Sequence, residues 1–294
     1  MHAGSHPIDE DLVRRLVAGR FPQWAGLPVR RIASGGTVNA VYRLGGTRLV
    51  RLPLTADGAG DVPHEQEWLP RLAPLLPTAV PEVLGVGGPA EGYPWSWSVY
   101  RWLEGENPAA GALDAPEALA GDLAAFVAAM RKVTLGRAPR AHRGGPLAAL
   151  DAATRAAVEE LRGIPGEAVD CDALAAVWDR ASRAPAWDGP PVWLHADLMP
   201  GNVLVRGGRL ASVIDFGCAG VGDPACDLFP AWNLLPADAR EVFRTALGVD
   251  DATWLRGRAR ALSQAVIALP YYRNTNPAMA RNARHVIAAV LERG

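Results

Sequence analysis

The hydrophobic texture of this chain becomes helical beyond Gly105, and that change limits the fold more than any other feature. Before it, short β-rich runs at 38–44, 48–52, 80–86 and 96–103 alternate with turns. Gly45-Gly46 joins the first two, which is a hairpin signal. Apolar residues at 8, 12, 13, 16 and 17 have helical spacing over 8–19, with Gly19 as the stop. A turn at 57–61 leads into a helix over 62–76 that carries Glu65, Glu67, Trp68, Leu69 and Leu72. Beyond Gly105, amphipathic segments follow at 116–133, 147–161, 171–182, 223–235, 236–247, 251–269 and 277–292. Short apolar strands at 192–195, 203–205 and 210–214 interrupt them around a polar loop. The expectation is an α+β, bilobal fold, with a small β-rich N-terminal lobe over 1–104 and a larger, mostly helical lobe over 105–294.

Composition removes several function classes. The chain has 294 residues, 49% of them apolar and 21% charged, so it can bury a substantial core and is not disordered. A formal charge of −1 supplies no basic field for nucleic acid. No apolar run approaches the ~18 residues of a membrane span. The opening Met1-His-Ala-Gly-Ser-His-Pro7, followed by Asp9-Glu10-Asp11, lacks the basic start and apolar centre of a secretory signal. A soluble, cytoplasmic protein with no membrane partner is expected, and nothing in the sequence speaks to its oligomeric state. Three cysteines, Cys171, Cys218 and Cys226, without CxxC spacing, fit neither a disulfide framework nor a zinc site.

One stretch carries chemistry. Leu194-His-Ala-Asp-Leu-Met-Pro-Gly-Asn-Val-Leu-Val205 contains H-x-D-x-x-x-x-N, and Asp215-Phe-Gly217 begins thirteen residues after Asn202. In phosphoryl transfer, positioning and charge neutralisation supply most of the catalysis. A carboxylate at Asp197, on a loop leaving an apolar strand, can orient an acceptor hydroxyl and take its proton. Asn202 and Asp215 offer hard oxygen ligands to Mg²⁺. A hairpin turning at Gly207-Gly208 would return the chain so that these two lie side by side. His195 reads as a core histidine bracing the loop.

These segments, together with Gly222-Asp-Pro-Ala-Cys-Asp-Leu228, Tyr100-Arg-Trp-Leu-Glu-Gly105 and Ser34-Gly-Gly-Thr-Val-Asn39, resemble the aminoglycoside phosphotransferase family of small-molecule kinases. The resemblance covers most of the chain. It implies a protein-kinase-like fold, nucleotide (ATP or GTP, with Mg²⁺) in a cleft, and an acceptor on the helical lobe. By motif match, Asp197 takes the catalytic-base position and Asn202 and Asp215 the metal positions. Asp227 takes a position that braces the catalytic loop. Ser34, Gly35, Gly36 and Thr37 would form the phosphate-covering loop, whose glycines permit close backbone approach. Arg101, Trp102 and Leu103 fall where the resemblance puts the hinge that meets the base through backbone groups.

The departure lies at the strand that should carry a phosphate-binding lysine. Leu49-Val-Arg-Leu-Pro53 has Arg51 there, and Lys132 is the sole lysine of the chain. Arg51 can pair with Glu65, fourteen residues on, and with phosphate oxygens, though its planar fork is not equivalent to an ammonium. Glu65 is preferred over Glu67 because it sits seven residues before Leu72. About half a helical turn separates the two, so both cannot face one way.

The acceptor is less legible. Aminoglycosides are polycations and would want a carboxylate-lined site. Between 223 and 251 lie six acids, Asp223, Asp227, Asp238, Glu241, Asp250 and Asp251, of which Asp223 and Asp227 belong to G-D-P-x-x-D and read as structural. Arg256 and Arg260 share one helical face and Arg281 and Arg284 another, a pattern that reads as solvated surface. The segment Pro270-Tyr-Tyr-Arg-Asn-Thr-Asn-Pro277 reads as a break between helices, either lining an acceptor pocket or capping the two. The leading expectation is γ-phosphate transfer to a hydroxyl of a small molecule, an aminoglycoside or another antibiotic among the candidates. The alternatives are a kinase for a hydroxylated metabolite and a nucleotide-binding protein without transfer activity.

Overall fold

The computed structural model describes residues 6–32 and 38–292. The chain separates into two compact units. One comprises Met1–Leu75, Ala79–Glu104 and Ser212–Gly217, the other Leu76–Thr78, Gly105–Ala211 and Cys218–Gly294. This division differs from a single cut after Glu104 in two segments. The second has a visible cause: Val213 N–H donates to Ala79 O at 3.1 Å and Phe216 N–H to Glu65 Oε1 at 2.8 Å, drawing 212–217 onto the first unit.

The first unit is built on a five-stranded antiparallel sheet. Its strands are β1 (Val29–Arg31), β2 (Asn39–Leu44), β3 (Arg48–Pro53), β4 (Val83–Gly87) and β5 (Trp97–Arg101), in the order β1-β2-β3-β5-β4. Gly45, at φ 60°, takes the left-handed conformation that the hairpin between β2 and β3 requires. The helices are α1 (Glu10–Arg20), α2 (Ala56–Ala59) and α3 (Asp61–Leu72). Asp9 caps α1 by accepting from Leu12 N–H at 2.8 Å. Leu12, Val13, Leu16 and Val17 pack with Tyr42, Leu44, Val50, Leu52, Trp97 and Val99 into one apolar core. In β3, Val50 and Leu52 enter that core, so the strand's alternation turns Arg51 to the opposite face. Two local expectations fail. Gly19 lies within α1, which runs to Arg20, and the turn expected at 57–61 holds α2, nucleated by Thr55 accepting from Gly58 N–H.

The second unit is mostly helical: α4 (Pro116–Arg131), α5 (Asp151–Arg162), α6 (Cys171–Ser182), α7 (Pro230–Asn233), α8 (Ala237–Leu247), α9 (Asp251–Tyr272) and α10 (Pro277–Leu291). Strand β6 (Val192–Leu194) pairs antiparallel with β9 (Gly220–Gly222), a strand too short to show in the apolar pattern. β7 (Val203–Arg206) and β8 (Arg209–Val213) form a hairpin on Gly207 and Gly208, at φ 58° and 74°, a primed turn that only glycine adopts cheaply at both sites. Helix α9 continues through Pro270, so the expected break before 277 starts only at Arg273. Among the described residues, no helix is long and apolar enough to cross a membrane.

Candidate active site

In the first unit, Arg51 is the centre of a half-buried polar cluster. Its Nη1 donates to both oxygens of Glu65, at 2.8 and 2.9 Å, and its Nη2 to Asp215 Oδ1 at 2.8 Å. With its amide oxygen turned inward, Asn39 on β2 accepts from Nη2 at 2.8 Å and Nε at 2.9 Å. Asp61 Oδ2 lies 3.9 Å away. Burial opposes the guanidinium charge, but Glu65 and Asp215 hold its pKa well above the ordinary arginine value. Glu65, 1% exposed on α3, also accepts from the Tyr100 hydroxyl and from Phe216 N–H. Glu67 faces solvent and pairs with Arg71. Asp215 sits at φ 67°, a left-handed conformation uncommon outside glycine, and its side chain is 40% exposed.

Arg101, Trp102 and Leu103 end the sheet differently from one another. Arg101 N–H is bonded to Glu82 O and Trp102 N–H to Thr47 O, each at 2.9 Å. The Arg101 side chain pairs with Glu82, and the Arg43 guanidinium lies 3.6 Å over the Trp102 ring. Leu103 N–H has no hydrogen-bond partner among the described residues. Of the three, Leu103 alone presents an unengaged backbone donor. Ser34, Gly35, Gly36 and Thr37 lie outside the described residues.

In the second unit, the loop after β6 is held from below. Asp227, fully buried, accepts from His195 N–H and Ala196 N–H, both at 2.7 Å. Burial pushes the Asp227 carboxyl above its ordinary range, while His195 and the two backbone donors pull it back. Ala196 is turned to φ 65°, and His195 Nδ1 accepts from Asp197 N–H at 3.2 Å. Asn202 Nδ2 donates to Asp197 O at 2.8 Å and Oδ2 at 3.0 Å, leaving its own amide oxygen without a partner among the described residues. Asn107 clamps the loop's far side through the carbonyls of Gly201 and Val203, both at 2.9 Å. Arg143 Nη1 pairs with Asp197 Oδ1.

The structure therefore brings Arg51, Glu65 and Asp215 together, and brings Asp197 and Asn202 together. One surface assignment is overturned. Arg256 and Arg260 are buried, 4% and 3% exposed, because they share the carboxylate of Asp223. Arg256 grips it with Nε at 3.0 Å and Nη2 at 3.2 Å. Helical periodicity placed both arginines on one face but could not say that an aspartate some thirty residues upstream covers it. Arg284 does lie on the surface, paired with Glu167. Sequence reasoning also missed Arg143, Asn39 and Asn107, whose partners are remote in sequence or given by the pleat.

Solved structures share this fold. The GDP complex of a point mutant of aminoglycoside 2′-phosphotransferase-IIIa superposes with a TM-score of 0.73 at 20% identity, covering 96% of this chain and 97% of that one. The GDP and kanamycin complex of APH(2″)-IIIa gives 0.69 at 18%, covering 95% and 97%. Macrolide 2′-phosphotransferase MphH from Brachybacterium faecium, an apoenzyme, gives 0.61 at 23%, covering 98% and 99%. The fold is the α+β, kinase-like one of these phosphotransferases. In sequence, the model of the phosphotransferase enzyme family (APH) matches residues 29–262, and the chain belongs to that family. No curated protein matches it.

Proposed function

We propose that this chain is a small-molecule kinase that transfers the γ-phosphate of ATP or GTP to a hydroxyl of its acceptor. The observation that carries this reading is Asp197 on a loop fixed at both flanks, by Asp227 beneath His195 and Ala196 and by Asn202 on its carboxylate. In the reaction the acceptor oxygen attacks the γ-phosphorus and its proton passes to Asp197. The bond from the γ-phosphorus to the β,γ-bridging oxygen breaks, and the electron pair leaves with the nucleoside diphosphate.

Asn202 and Asp215 would hold Mg²⁺. Both are hard oxygen donors, the Asn202 amide oxygen is uncommitted, and Asp215 keeps one carboxylate oxygen clear of Arg51. The ion would neutralise charge on the phosphates. Arg51 supplies a fixed positive charge in place of the usual lysine. The loop at Ser34, Gly35, Gly36 and Thr37 would cover the phosphates, and the backbone at Arg101, Trp102 and Leu103 would meet the base.

For the acceptor, the related structures point to antibiotics, aminoglycosides and macrolides among them. One observation favours an acceptor less cationic than an aminoglycoside. Of the six acids between 223 and 251, Asp223 is spent on Arg256 and Arg260, and Asp227 on backbone donors. Asp250 caps α9 and Asp251 pairs with Arg244. Only Asp238 and Glu241 remain solvent-facing without such a partner among the described residues.

The test is nucleotide turnover against aminoglycosides, macrolides and hydroxylated metabolites, with Asp197→Ala alongside. Transfer to one acceptor class, falling roughly a hundredfold or more in the variant while nucleotide still binds, is the expected result. Near-normal turnover in Asp197→Ala would sink the assignment.

A further inference from the structure

The loop between α4 and α5 brings a guanidinium to Asp197 that no motif of the sequence marks. Arg143 pairs through Nη1 with Asp197 Oδ1, while Asn202 takes Oδ2. Its Nε and Nη2 have no hydrogen-bond partner among the described residues, and its side chain is 38% exposed. The head is therefore reachable by a ligand that the base also touches.

Its backbone, by contrast, is pinned. Arg143 O accepts from Arg260 Nη1 at 2.9 Å and from Cys226 Sγ at 3.4 Å, and Gly145 O accepts from Arg260 Nη2. Asp223 N–H donates to Gly144 O at 3.1 Å, and His142 N–H to Cys218 O at 3.1 Å. Gly144 packs against Gly222 so closely that a Cβ on either would lie within about 3.1 Å of the other's backbone. Arg260 of α9 thus holds the base of this loop while leaving its charged head free. A fixed cation that need not reorganise is what electrostatic stabilisation of a developing anion requires.

The charge inventory points the same way. Arg51 gives its donors to Glu65, Asp215 and Asn39, and Arg256 and Arg260 are buried on Asp223. Arg143 is the guanidinium at Asp197 with donors to spare. During transfer the γ-phosphoryl oxygens must come beside the carboxylate that orients the attacking hydroxyl.

We propose that Arg143 is a further catalytic residue, bridging Asp197 and the transferring phosphoryl group. The assignment rests on the kinase reading above. It gives Arg143 two jobs: holding the Asp197 carboxylate in place, and donating Nη2 or Nε to the phosphoryl oxygens as the β,γ bond breaks.

The test needs no knowledge of the acceptor. Hydrolysis of ATP and GTP with excess Mg²⁺ transfers the same phosphoryl group to water, and a nucleoside diphosphate with Mg²⁺ and aluminium fluoride mimics the group in flight. In Arg143→Ala, kcat for hydrolysis should fall on the order of 100-fold with KM for nucleotide within about threefold. The fluoride complex should weaken by a similar factor while the diphosphate alone binds as before. Arg143→Lys should recover part of both. Unchanged kcat in Arg143→Ala overturns the proposal. So does equal weakening of the diphosphate and its fluoride complex, since that marks a loss of ground-state structure. A wild-type chain that neither binds nor hydrolyses nucleotide overturns the kinase reading itself, and this assignment with it.

Discussion

Arg51 Nη2 lies 2.8 Å from Asp215 Oδ1, across 164 residues of sequence. The arginine on β3 and the aspartate of Asp-Phe-Gly are therefore one electrostatic unit, with Glu65 on the guanidinium's other nitrogen and Asn39 along its edge. A lysine ammonium has three donors on one atom, whereas a guanidinium reaches several acceptors at once, so the replacement changes the number of groups tied together.

Removing Arg51 should accordingly do more than lower phosphate affinity. Arg51→Ala leaves Glu65 buried without its counterion, a change that costs roughly 3–5 kcal/mol where a buried pair loses one partner. Turnover at saturating nucleotide should be nearly lost, with partial activity in Arg51→Lys. Glu65→Ala should be no milder, because the Tyr100 hydroxyl and Phe216 N–H lose their acceptor too. The double variant should be little worse than Arg51→Ala. Chemical denaturation and steady-state kinetics on the four proteins check this. Full activity in Arg51→Ala would mean that another cation, or Mg²⁺ alone, neutralises the phosphates.

Asp215→Ala should abolish Mg²⁺-dependent transfer and leave Arg51 with one carboxylate partner fewer. Titrating Mg²⁺ against nucleotide binding separates this from a folding defect: the variant should bind nucleotide with little response to the metal. Metal-dependent binding and full activity would rule out Asp215 as a ligand.

Asp223 bears two arginines, and the loop carrying Arg143 hangs on one of them. Arg256→Ala should destabilise the second unit by less than the roughly 3–5 kcal/mol of a fully stranded buried carboxylate, because Arg260 stays on Asp223. Arg260→Ala should do so as well, and should also loosen the loop at 143–145. Thermal melting and hydrogen exchange at residues 139–145 distinguish the two variants, since faster exchange in that loop is expected only for Arg260→Ala.

His285 on α10 has a buried Nε2 without a hydrogen-bond partner among the described residues. Burial, reinforced by Arg240 and opposed by Glu292, holds its pKa below the ordinary 6.5. The unfolded chain then takes the proton first on acidification. This contribution to stability is full above about pH 6.5 and is lost as pH falls from there through the lower folded pKa. His285→Leu should flatten that slope in melting temperature against pH between 7 and 5, and an unchanged slope would assign it to other groups.

Much of this fold can be read before any coordinates, because it is local. Helix α6 begins and ends at 171 and 182, where its apolar pattern puts it. The glycine turns at Gly45 and at Gly207-Gly208 follow from backbone sterics alone. The contact of Asn202 with Asp197 is likewise local, since the two stand five residues apart on one loop. Other features depend on which distant surfaces meet. Arg256 and Arg260 look like solvated residues until Asp223 arrives from another segment, and Asn39 faces Arg51 only through the register of β2 on β3. Arg143 has no local signature, since its role comes from a partner 54 residues away. Periodicity reports which face of an element is polar. Only tertiary packing decides whether that face meets water or a buried carboxylate, because the energy separating the two belongs to the partner and not to the segment.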